Sequence, residues 1–88
     1  MITIINGRRC ELVEDDFVDY EKSSRTTIRM RIGDRYIRKK GNGWIREITG
    51  FVWIGPTLWI KYTENLGNEN FIHSGCSVHA LERWGRKI

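Results

Sequence analysis

His73, Cys76 and His79 recur at three-residue intervals, and Cys10 lies far upstream, so the chain contains four side chains of types that zinc accepts. Zinc holds its ligands at about 2.0–2.3 Å from one point, and two-residue gaps that cross from a strand into a helix do not enforce that convergence. The spacing therefore predicts no metal site, with Cys76 a small buried hydrophobe and the two histidines partly exposed. Glu14, Asp15, Asp16 and Asp19 form an acidic group, expected to be hydrated rather than ligating. No serine or cysteine sits in a Gly-x-Ser-x-Gly turn, and Gly41-Asn42-Gly43 reads as a hairpin turn rather than a phosphate cradle. The expectation is a protein that is not an enzyme and needs no cofactor.

Aromatic and basic residues suggest a different chemistry. Residues 44–62 hold three of the four tryptophans and the only proline, and read as two apolar strands joined at Gly55-Pro56-Thr57. If Ile54 and Leu58 close that turn, Val52, Ile54, Leu58, Ile60 and Tyr62 share one face. Phe51, Trp53, Trp59 and Lys61 then share the other. Base stacking on an aromatic ring contributes on the order of 1–3 kcal/mol per base. Nearby cations neutralise phosphates and release counterions. The expected platform is thus Phe51, Trp53, Trp59 and Lys61, rimmed by Arg29, Arg31, Arg35, Arg38, Lys39 and Lys40. A competing reading covers these aromatics with the amino-terminal hairpin as a second layer of core, with Trp44 and Trp84 also in the core. A third buries the patch against a second copy or a host protein.

Charge supports a polyanion-facing surface. Within 1–24, Arg8, Arg9 and Lys22 oppose six carboxylates for a sum of −3, whereas 25–46 carry eight cations against Asp34 alone, for +7. The rest balances, leaving +4 overall. Eighty-eight residues suit one domain. Two cysteines are too few for a secreted disulfide scaffold and are expected as thiols. No run approaches a membrane span, and the amino terminus lacks the layout of a signal peptide; the expectation is a cytoplasmic protein that does not engage membranes.

The elements that would position these residues follow from local pattern. Residues 2–5 and 8–13 flank Asn6-Gly7, a strong hairpin turn. Residues 15–22 allow either a short capped helix, from Phe17 and Tyr20 three apart, or an acidic loop. Thr27 to Ile32 alternates with Ile28, Met30 and Ile32 inward, and Gly33-Asp34 turns into an extended 35–40. Ile45 and Ile48 fall on opposite faces by parity, which a bulge between Ile48 and Gly50 reconciles. Residues 63–70 read as a polar turn and Phe71-Ile72-His73 as a short strand. Ser77 caps a two-turn helix bearing Val78, Leu81 and Trp84, Gly85 stops it, and Arg86-Lys87-Ile88 is a basic tail.

Gly33-Asp34-Arg35-Tyr36-Ile37, then 41–50 and Leu58-Trp59-Ile60-Lys61-Tyr62, resemble the small five-stranded barrels of the KOW and Tudor type. The closing 76–84 also resembles the end of small phage-encoded barrels. The resemblance spans roughly 27–84 and implies a mostly β single domain: a five-stranded, barrel-like bent antiparallel sheet, with the amino-terminal hairpin and acidic segment of 1–24 added and a short carboxy-terminal helix. The expected function is non-enzymatic binding of nucleic acid. The alternative is a phage-type inhibitor or accessory protein, of an anti-defence kind, that binds a nucleic-acid-handling host protein or a nucleotide signal, potentially as a homo-oligomer.

Overall fold

The computed structural model describes residues 2–5, 7–41, 43–65 and 71–88. Its strands follow the alternation of apolar and polar side chains along the chain. β1 (Ile2–Ile5) and β2 (Arg8–Leu12) make the expected amino-terminal hairpin, with Ile4 opposite Arg9. Asn6 of its turn, like Asn42 of the 41–43 turn, lies outside the described residues.

β3 (Phe17–Ser23) and β4 (Thr26–Arg31) form a separate two-stranded sheet. Residues 15–22 are therefore mostly strand, neither helix nor loop. Val18 and Tyr20 pair with Met30 and Ile28 on the inward face, and this two-residue period outweighs the three-residue spacing of Phe17 and Tyr20.

β5 (Arg35–Arg38), β6 (Ile45–Ile54), β7 (Thr57–Asn65), β8 (Phe71–Ser77) and β9 (Gly85–Lys87) join β1 and β2 in a seven-stranded antiparallel sheet. β6 is its spine. β7 pairs along one edge of β6, while the other edge is shared by β5 at 45–47 and β2 at 52–54. The register shifts between Ile48 and Gly50, as the parity of Ile45 and Ile48 requires, and Ile48 is thereby buried. β8 is longer than the expected 71–73, and β7 reaches Asn65; the rest of the expected polar turn, 66–70, lies outside the described residues.

Along the chain β5 to β8 follow one another as a meander, and β9 then returns to pair with β5, giving the strand path β9-β5-β6-β7-β8. Among the described residues the sheet does not close: β8 pairs only with β7, β1 only with β2 and β9 only with β5. The expected mostly β, antiparallel architecture with one short helix is present, but among the described residues the large sheet is open and seven-stranded rather than a closed five-stranded barrel, with β2 added on the half of β6 that β5 leaves unpaired.

α1 (Val78–Trp84) connects β8 to β9. Ser77 caps it, its side chain accepting the Ala80 N–H at 3.1 Å, and Val78 and Leu81 are buried. Gly85 ends the helix in extended backbone and lies so close to β5 that a Cβ there would fall 2.5 Å from the Ile37 carbonyl oxygen. The expected basic tail is thus a strand.

The core lies between the large sheet and the β3–β4 hairpin. Val18 and Met30 of the hairpin meet Ile48, Phe51, Leu58 and Ile60 of β6 and β7, and Val78 and Leu81 of α1 close one end. Each such fully buried large side chain stabilises the fold by about 1.5–3 kcal/mol relative to exposure. No helix among the described residues is long and apolar enough to cross a membrane.

Candidate nucleic-acid interface

The β6–β7 turn closes one residue tighter than expected. Ile54 pairs with Thr57, Trp53 with Leu58, Val52 with Trp59 and Phe51 with Ile60. Opposite residues share a face, so a one-residue change of register moves every side chain of one strand across the sheet relative to the other. Phe51 is fully buried in the core, and Trp53 packs partly buried against it. Trp59 and Lys61 lie on the outer face with Val52. The expected four-residue platform is therefore split between two faces. On the outer side Trp59 lies over Gly75, where a Cβ would fall 2.3 Å from its indole Nε1, and the stem of exposed Lys61 passes Gly50.

The basic residues also separate. Arg29 is held by Asp19 through two hydrogen bonds of 2.8 and 3.1 Å, and its guanidinium stacks 4.2 Å from the Phe17 ring centre. This contact holds the Asp19 carboxyl below its ordinary range. Arg35 pairs with Glu47 at 3.3 Å. Arg31 is exposed opposite Phe17. Arg38 lies over Trp44, 5.3 Å from the ring centre, and leads into exposed Lys39 and Lys40.

Lys39 borders a cleft of about 520 Å³ between β4 and the β5–β9–α1 region. Ile28, Met30 and Tyr36 give it apolar surface, while Arg29, Lys39, Arg86 and Lys87 line it with positive charge against Glu82 alone. Backbone pairing fixes the arrangement: the Lys39 N–H donates to the Trp84 carbonyl at 3.1 Å, and Ile37 pairs with Arg86. Glu82 is bridged to Lys22 at 3.1 Å and Lys87 to Asp34 at 3.3 Å. Lys39 and Arg86 have no carboxylate partner among the described residues. Burial, with Glu82 and Asp34 nearby, raises the Tyr36 phenol above its ordinary range, so it remains a neutral hydroxyl. The lining suits an anion with an attached apolar part. Arg86 and Lys87 could not be placed here from sequence, because three residues after a helix are too few to show alternation.

A second constellation was equally invisible. The Arg46 guanidinium lies between the rings of Trp84 and Tyr62, at 4.0 and 4.3 Å from their centres, and donates to the Glu64 carboxylate at 2.5 Å. Both charged side chains are largely buried, and the Cys76 thiol sits 3.9 Å from Arg46. Cation–π contact and a charge-assisted hydrogen bond compensate the desolvated charge. Burial pushes the Cys76 thiol up despite Arg46, which disfavours a reactive thiolate. Arg46 faces Glu64 directly across the β6–β7 ladder, a pairing readable only once the bulge and the turn register are known.

Among the described residues no three His, Cys, Asp or Glu side chains group so as to hold a metal ion. Cys10 and Cys76 are free thiols. No protein-family model, curated protein or solved structure matches the chain.

Proposed function

We propose that the chain is a non-enzymatic cytoplasmic binding protein whose basic face takes nucleic acid, centred on the cleft between β4 and β9. The observation that carries this reading is the pair Lys39 and Arg86, two cleft cations without carboxylate partners among the described residues. Arg29 and Arg35 of the expected basic rim are engaged by Asp19 and Glu47, and Arg31, Arg38 and Lys40 do not line the cleft. Trp59 and Lys61 face away from the hairpin layer and belong to a separate surface.

The test is a titration of labelled oligonucleotides, single- and double-stranded, at low and physiological salt. Micromolar affinity that weakens steeply with salt is expected. Absence of binding to any oligonucleotide at low salt removes the reading.

One observation favours the alternative, a phage-type inhibitor or accessory protein with a protein partner or a second copy of itself. Leu12 is 44% exposed and pairs with Val52, which in turn pairs with Trp59, leaving an apolar row on the outer face. A stoichiometric complex that survives high salt and is lost in Trp59→Ala would establish that surface instead.

A further inference from the structure

We propose that the cleft takes a single strand of nucleic acid with unpaired bases, and excludes a duplex; the proposal rests on the nucleic-acid reading above. Its walls are two strands that, among the described residues, each pair on one side only, β4 with β3 and β9 with β5. Residues 28–30 of β4 and 85–87 of β9 line the space between them. The outer edge of such a strand carries unpaired N–H and C=O groups at alternate residues. Unpaired bases present free Watson–Crick edges whose donors and acceptors satisfy such groups, whereas a duplex has already paired those edges and offers only its grooves.

Size and charge favour the same ligand. Pockets that hold one small organic molecule span about 300–1,000 Å³, and this cleft of about 520 Å³ falls within that range. A nucleotide or two can enter it and a double helix cannot. Partly exposed Ile28, at the rim above a floor of buried Met30 and Tyr36, offers apolar surface to a base, with Lys39 and Arg86 placed for the flanking phosphates.

A duplex would instead need a convex element for its major groove, which admits a helix or a two-stranded ribbon. The β3–β4 ribbon is the convex candidate, but its outward face carries Asp19 and Glu21 beside Arg29 and Arg31. Asp19 already neutralises Arg29. Carboxylates would therefore meet phosphates on the ribbon, while the single carboxylate of the cleft, Glu82, is bridged to Lys22.

The experiment compares labelled oligothymidylate, oligoadenylate and a duplex of equal length by fluorescence anisotropy across a salt series. Wild type is measured beside Lys39→Gln/Arg86→Gln, with its fold checked by circular dichroism. Single strands are expected to bind at least about tenfold tighter than the duplex. Removing the two cations is expected to lower the salt slope for single strands by about 1.4, at about 0.7 per phosphate contact. Equal or tighter duplex binding overturns this inference and leaves the broader nucleic-acid reading standing. Single-strand binding that is indifferent to the double substitution overturns the cleft as its site. If no oligonucleotide binds at low salt, both readings fall together.

Discussion

Val52 lies directly opposite Trp59 across the β6–β7 hairpin, and that one pairing determines which aromatic residues this protein can show to a ligand. It puts Trp59 outside and Phe51, opposite Ile60, inside.

Phe51→Ala should therefore destabilise the fold by about 3–5 kcal/mol, the range for emptying a buried aromatic site. Trp59→Ala should have a clearly smaller effect, since its ring is only partly buried. Urea unfolding of both variants checks the order. Equal losses would contradict the observed register.

Gly75→Ala places a methyl where the Trp59 indole now lies. A loss of about 1–3 kcal/mol is expected from such overpacking. Trp59→Leu in the same chain should recover part of it, so the double-mutant cycle should show a coupling of the order of 1 kcal/mol. Independent, additive effects would show that ring and glycine are not in contact.

Removing Glu64 leaves the Arg46 guanidinium buried without its carboxylate. Glu64→Ala is expected to cost about 3–5 kcal/mol, while Arg46→Met/Glu64→Leu should retain far more stability because no charge remains to be desolvated. Thermal unfolding of the single and double variants distinguishes this from a simple loss of packing. If the double variant is as unstable as the single one, the ion pair contributes through something other than charge compensation.

Alkaline pH should weaken the fold. The Cys76 thiol ionises in the unfolded chain from its ordinary 9.0, but burial raises it in the folded protein. Its contribution is fully present below pH 9.0 and is lost as pH rises through the folded value, because the unfolded state then binds fewer protons. Tyr36 acts in the same sense above 10.0. Stability followed by denaturant midpoint should fall above pH 9.0 and fall less in Cys76→Ala. An unchanged slope in that variant would assign the effect to other groups.

Much of the architecture was legible without coordinates. Alternation marked 27–32 as a strand, the parity conflict between Ile45 and Ile48 located the bulge, and Ser77 announced α1. These signals succeed because each depends on neighbours a few residues away. The strand nature of 17–23 was harder, since Val18 and Tyr20 gain an inward face only when Met30 and Ile28 are beside them.

The sequence by itself determined a strand-rich chain with one short helix, an acidic beginning and a cationic block over 25–46. Only the tertiary structure decided which cations remain unpaired and which aromatics remain accessible. Arg29 is met by Asp19, ten positions away, while Lys39 and Arg86 come to line one cleft through the pairing of β5 with β9. The physical reason is that partner choice depends on register. A one-residue slip in β pairing leaves composition and alternation unchanged yet exchanges the two faces of a strand. Which side chains share a surface here is set by that choice, which no local pattern of residues contains.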